Sequence, residues 1–118
     1  PKWTEKWLIA QAAAEAKALR KDPLSMGAAW AGLVQAGVAR LRGEDVGPML
    51  GEVASAFVEL DLLLYANVTR FLHARHGAGV SAEAAGQVAQ SWLDEQGVVD
   101  VERLAAVMAP GLIEPPQP

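Results

Sequence analysis

The sequence contains no cysteine, which excludes disulfide bonds, thiolate metal sites and thiol chemistry. It is also short of positive charge: 10 Lys and Arg residues stand against 14 Asp and Glu residues, which gives a formal net charge of -4. A broad basic surface for nucleic acid or anionic lipid is therefore not expected. Signals for β-hairpins are missing as well, so a sheet is not predicted.

Long apolar runs are absent too. The longest one near the middle of the chain, Leu62–Ala66, is far shorter than the roughly 20 residues that span a bilayer. Lys2, Glu5 and Lys6 interrupt the start of the chain, which argues against a signal peptide. An initiator methionine is normally removed before a residue such as Pro1. We therefore expect a natural N-terminus there and a cytoplasmic protein that does not bind membranes.

Apolar residues are plentiful. They make up 52% of the 118 residues, which is enough for one domain to bury a core. Most of the large apolar side chains lie between residues 28 and 73, in a helix-forming stretch that Gly43 interrupts. We predict a single helical domain over residues 1–111. Residues 112–118 are rich in proline and are predicted to form a flexible tail.

Periodicity and capping residues predict an all-α fold, a compact bundle of four to five helices with one long central helix. The predicted helices cover residues 4–21, 26–41, 46–76, 81–97 and 101–108. Each has a capping residue at or just before its start, namely Thr4, Ser25, Asp45, Ser81 and Asp100. Gly43 is the predicted C′ residue that ends the second helix.

The long central helix is predicted from one apolar stripe. Its residues are spaced by four, three, four, four and three positions: Val53, Phe57, Leu60, Leu64, Val68 and Phe71. A helix of this length is unusual in a small domain, so a kink is an open alternative. Asp61 lies at the edge of the stripe. It either reaches solvent or is buried and paired with an arginine at the end of the second helix or with Tyr65.

Few residues can carry chemistry. His73 and His76 are spaced i and i+3, but zinc usually needs three or four ligands and no third His or Cys is present. Their place at a helix C-terminus is explained by the helix dipole, so no metal site is predicted. Nucleotide-binding and hydrolase motifs are missing, so no catalytic residue and no cofactor is predicted. Arg70 and His76 resemble the Arg…His pair of HEPN-type ribonucleases, which leaves a ribonuclease as an alternative.

The four tryptophans are candidates for an interface. Trp is enriched at binding hot spots, so Trp3, Trp7, Trp30 and Trp92 are predicted to be core or interface anchors. A core position is favoured for Trp30 and Trp92. The N-terminal pair is the stronger candidate for contact with a partner.

The second predicted helix carries an unusual number of glycines. Gly27, Gly32 and Gly37 favour close helix packing, or alternatively a marginally stable helix that a partner orders. Gly32 and Gly37 are therefore added to the interface candidates. The apolar stripe of the same helix consists of Trp30, Leu33, Val34, Val38 and Leu41.

Two segments resemble a known family. Residues 29–37 read Ala-Trp-Ala-Gly-Leu-Val-Gln-Ala-Gly, and residues 43–50 read Gly-Glu-Asp-Val-Gly-Pro-Met-Leu. Together they are similar to tail-assembly chaperones of long-tailed bacteriophages and gene-transfer agents, which are small, acidic and mostly helical. The resemblance implies a non-enzymatic assembly factor that binds the tape-measure protein and recruits tail-tube subunits.

The predicted partner is a protein, and not nucleic acid. Helix faces of small residues and exposed tryptophans should be buried against something, so a homo-oligomer is also predicted. The alternative from another class is a small helical regulatory protein that binds a component of the transcription machinery.

Overall fold

The computed structural model describes residues 4–19 and 26–113, and within them it contains six helices and no strand. The helices are α1 (Glu5–Leu19), α2 (Met26–Leu41), α3 (Gly47–Glu59), α4 (Leu63–His76), α5 (Val80–Glu95) and α6 (Val101–Met108). The predicted all-α bundle is confirmed. No helix in these two ranges is both long enough and apolar enough to cross a membrane.

Three of the predicted helix ends are formed by the expected residues. Thr4 Oγ1 accepts a hydrogen bond from the amide of Trp7 at 3.2 Å, and Asp100 Oδ1 accepts one from the amide of Arg103 at 3.0 Å. These are N-cap bonds, which satisfy amides that have no partner within the helix. Gly43 ends α2 with a φ of 80°, as a C′ glycine does.

Two other predicted starts are wrong by one or two residues. Val46 is the N-cap of α3, and Asp45 lies just before it, with its Oδ1 accepting from the amide of Gly47 at 3.1 Å. Helix α5 begins at Val80, because Gly79 has a φ of 90° and serves as N-cap, so Ser81 is already inside the helix. The predicted cap Ser25 and the predicted end of the first helix at residue 21 lie outside the described residues.

The single long central helix is wrong. Helix α3 ends at Glu59 and α4 begins at Leu63, and the two helices pack against each other, which one continuous helix could not do. The turn is a Schellman motif: the amide of Asp61 donates to Val58 O and the amide of Leu62 donates to Phe57 O, both at 2.9 Å. Leu64, placed in the core by the continuous stripe, is exposed as a result.

Asp61 occupies the C′ position of that turn, with a φ of 58°. Its side chain is exposed, so the hypothesis of a buried Asp61 paired with an arginine or tyrosine is wrong. A left-handed backbone is one that Asp tolerates better than most residues, because its short polar side chain can bond locally. The residue therefore serves as a helix stop.

Replacing Asp61 by Gly is expected to raise the free energy of unfolding by about 1 kcal/mol, because glycine adopts a positive φ without the clash that a Cβ makes. Urea denaturation followed by circular dichroism measures the change. Gly97 is the matched control, since it has a φ of 77° and no atom within 4 Å of an added Cβ. Gly97→Asp is expected to lower stability by a similar amount. Equal midpoints for both variants and the wild type would contradict the argument.

The core lies between α2, α3, α4 and α5. Its largest fully buried side chains include Phe57, Leu50, Leu72 and Leu93. Trp30 covers this core edge-on, with its ring centroid 5.8 Å from that of Phe57 and 5.0 Å from that of Tyr65. Such edge-to-face contacts are the favoured geometry of aromatic pairs.

Close packing explains two of the glycines in α2. A Cβ added at Gly32 would lie 2.6 Å from Cγ2 of Val53 on α3, and one added at Gly37 would lie 3.2 Å from Cα of Gly111. Both glycines are buried. The helix-packing interpretation is confirmed for Gly32, which faces the inside of the chain, where it cannot contact a partner. Gly37 packs on Gly111, which lies after α6 and not in a helix.

The segment after α6 folds back onto the core. We call residues 109–113 the C-terminal strap. Arg40 Nη1 donates to Gly111 O at 3.3 Å, and His76 Nε2 bonds to Leu112 O at 2.5 Å. Leu112 and Ile113 are buried in the core cluster. The predicted domain boundary at residue 111 is therefore two residues short, because it leaves this apolar pair in the tail. Residues 114–118 lie outside the described part.

Candidate binding groove

Helix α1 is attached to the bundle mainly through α2. Ala16 is its one buried residue among those whose side chains are described. Because α1 is built largely of alanine, it can approach α2 closely but does not cover the large side chains of α2. The space left between them is a candidate site.

That space is a groove of about 590 Å³ between α1, α2 and the C-terminal strap. We call it the apolar groove. Its walls include Leu8 and Ile9 from α1, Trp30, Val34 and Leu41 from α2, and Met108 from the end of α6. Glu5 is the one charged residue in the lining. The groove can therefore hold an apolar ligand and offers little to a polar one.

Several apolar side chains on the groove are left open to solvent. Leu8 is 46% exposed, Val34 42% and Leu41 51%. On a single helix, Val34 and Leu41 are seven residues apart and so lie on the same face. Clustered exposed apolar side chains in a concave surface are typical of a site for another molecule.

The structure separates the predicted interface tryptophans. Trp30 is half-buried: it packs on the core and also lines the groove. Trp92 is half-buried and packs against the core cluster. Trp7 is half-buried on α1, outside the residues that line the groove, and Trp3 lies outside the described residues. Of the candidates, Trp30 and Gly37 are brought together in the groove.

Sequence reasoning included Val34 and Leu41 in the apolar stripe of the second helix and gave Leu8 no role. Helix α2 carries two polar residues, Gln35 and Arg40, among its 16, and this was the available signal. A helix that is apolar over most of its circumference is either fully enclosed or has a second partner. Since α1 encloses α2 only partly, Val34 and Leu41 face the groove.

The residues that could carry chemistry lie elsewhere. His73 is buried against α3, whereas His76 is bonded to the C-terminal strap. Arg70, the partner of His76 in the ribonuclease hypothesis, donates to Asn67 Oδ1 at 3.2 Å and borders a cleft together with His73. Within residues 4–19 and 26–113, no group of three or more His, Asp or Glu side chains is placed to hold a metal ion.

Comparison with known proteins identifies no relative: no family model, no curated protein and no solved structure matches the chain.

Proposed function

We propose that this chain is a non-enzymatic binding factor that holds an apolar helical segment of another protein in the apolar groove. The observation that supports the proposal is the set of open apolar side chains, Leu8, Val34 and Leu41, around a cavity with a single charged residue in its lining. Seating an amphipathic helix in an apolar groove is a common mode of protein recognition.

The shape of the groove favours a helix as the occupant. Two adjacent helices, α1 and α2, form its sides, and a third helix can pack onto such a pair at the usual distance of about 8–10 Å. Burying the exposed part of each open apolar side chain is worth about 1 kcal/mol. A ligand helix with its own apolar stripe would bury a similar area of its own surface.

The finer proposal is a tail-assembly chaperone of the bacteriophage type. It rests on the resemblance of residues 29–37 and 43–50 to that family. The first of these segments lies in α2 and supplies Trp30, Val34 and Gly37 to the groove. The bound helix would then belong to a tape-measure protein.

The test compares valine and leucine positions in the groove with an exposed valine outside it, each replaced by glutamine. Val34→Gln combined with Leu41→Gln places amides in the groove, and Val99→Gln is the matched control, because Val99 is 97% exposed and lies in the loop before α6. Each protein is immobilised, and the proteins that it retains from a lysate of the source cells are identified by mass spectrometry. A peptide of the bound segment is then titrated against each purified protein.

We expect the groove variant to bind the peptide at least tenfold more weakly than the wild type, and the control to bind it unchanged. Equal retention by all three proteins would contradict the proposal. Identification of a tape-measure protein supports the chaperone, whereas a polymerase subunit or a repressor favours the regulatory alternative.

Self-association stays a prediction. If sedimentation shows a wild-type dimer that the groove variant loses, the occupant is a second copy and the proposed partner is wrong.

A further inference from the structure

A second concave site lies on the other side of the bundle, between α3, α4 and the start of α5. We call it the His73 cleft. His73, from α4, is 9% exposed and lines it. Its ring is held between two glycines: a Cβ added at Gly51 would lie 3.2 Å from Cε1, and one added at Gly77 would lie 3.1 Å from Cδ2. A Cβ at either position would crowd the imidazole, and one at Gly77 would also lie 2.8 Å from the backbone oxygen of His73.

The imidazole of His73 has no hydrogen-bond partner among the described residues. Fully enclosed side-chain nitrogen and oxygen atoms in the described part all have partners, so the ring nitrogens of His73 open onto the cleft. Because the rest of the ring is enclosed, the cleft is the direction from which water or a ligand can bond these nitrogens.

Two other side chains with hydrogen-bond donors, Arg70 and Ser81, line the same cleft. Arg70 borders the cleft, and its bond to Asn67 Oδ1 uses one of the five N–H groups of the guanidinium. Ser81 lies in the first turn of α5, a helix of 16 residues whose N-cap, Gly79, provides no side-chain cap. The first amides of such a helix lack partners and carry a partial positive charge.

The charges divide the cleft into two parts. The part around Arg70, His73 and Ser81, about 250 Å³, has no carboxylate in its lining. The adjoining part at the start of α3 contains Asp45 and Glu52. A negatively charged group is therefore favoured beside Arg70 and repelled from the α3 end.

We propose that the His73 cleft binds a small oxyanion, a phosphate or carboxylate group, beside Arg70. The guanidinium supplies the charge, and the imidazole of His73 and the hydroxyl of Ser81 donate hydrogen bonds. Arg suits this role because its planar fork matches oxyanions. The site is independent of the apolar groove, which α1, α2 and the C-terminal strap form.

The test is an NMR titration of the full chain with inorganic phosphate, and separately with acetate, at fixed pH and with chloride adjusted to hold ionic strength constant. We expect saturable shifts of the amides near residues 70, 73 and 81 and of the His73 ring protons. Arg70→Gln should weaken binding about tenfold, because a hydrogen bond to a charged group is lost. His73→Gln, which keeps a side-chain N–H donor, should weaken it less.

Arg75→Gln is the matched control, since Arg75 is an exposed arginine on the same helix and is paired with Glu102 at 2.8 Å. It should leave binding unchanged. Saturation by phosphate alone assigns a phosphate site, and saturation by acetate assigns a carboxylate site. Shifts that grow linearly without saturation, or that persist in Arg70→Gln at the wild-type affinity, would overturn the proposal.

Discussion

Replacing Leu112 by Ala is expected to lower the free energy of unfolding by about 3 kcal/mol, since Leu-to-Ala changes at enclosed sites cost about 2–5 kcal/mol. Leu112 is fully buried and belongs to the core cluster, although it lies beyond the last helix. Its backbone is fixed as well, because His76 bonds to its carbonyl.

Urea denaturation followed by circular dichroism measures this loss. Val107→Ala is the matched control: Val107 lies five residues earlier, in α6, and is 77% exposed. Changes at such surface positions are usually within about 0.5 kcal/mol. If Leu112→Ala unfolded at the same urea concentration as the control, the strap would not be part of the cooperative core, and the sequence-based boundary at residue 111 would be the better one.

The sequence predicted the features that depend on neighbouring residues. Thr4 and Asp100 were identified as caps because their hydroxyl and carboxylate oxygens reach amides three residues later. Gly43 was identified as a helix stop because glycine is the residue that adopts a positive φ most easily. Helix α6 was predicted with both of its ends, Val101 and Met108.

The features that depend on tertiary packing were missed. No glycine or proline marks the break at Asp61, and the break is stabilised by the packing of α4 back onto α3. Pro110 and Gly111 end a helix, so the tail was predicted to begin directly after them, at residue 112. The apolar pair Leu112 and Ile113 was the available signal against that interpretation, but such a pair does not decide by itself, because the adjacent Leu63 and Leu64 are exposed.

The candidate sites were also predictable only in part, because their geometry depends on tertiary packing. Trp30 could be selected by residue type alone, but its position on the groove depends on how far α1 covers α2. The spacing of His73 and His76 put both residues on one helical face, but no metal site was predicted from it. In the structure, His73 is directed by Gly51 of α3, and His76 by the strap. Both contacts are distant in sequence, so spacing along one helix could not separate the two residues.

Phe57→Ala is expected to have the largest effect of the substitutions considered, a loss of about 4 kcal/mol, since Phe-to-Ala changes in cores cost about 3–5 kcal/mol. Phe57 is fully buried, and its ring contacts those of Trp30 and Tyr65, with the centroid of Tyr65 5.7 Å away. The backbone carbonyl of Phe57 accepts a hydrogen bond from the amide of Leu62 in the turn between α3 and α4. The variant should therefore loosen the core and the support beneath Trp30 together.

Phe57→Leu separates these two consequences, because leucine keeps most of the buried volume but removes the aromatic contact. Its loss of stability should be about 1 kcal/mol, as expected for a swap that roughly conserves volume. If the apolar groove depends on the orientation of Trp30, peptide binding by Phe57→Leu should weaken several-fold at a temperature where the variant is fully folded. Full wild-type affinity in that variant would show that the groove does not need the aromatic cluster.

A loss well below 3 kcal/mol for Phe57→Ala would contradict the central place of Phe57 in the core, since a site of this burial cannot lose an aromatic ring without leaving a cavity.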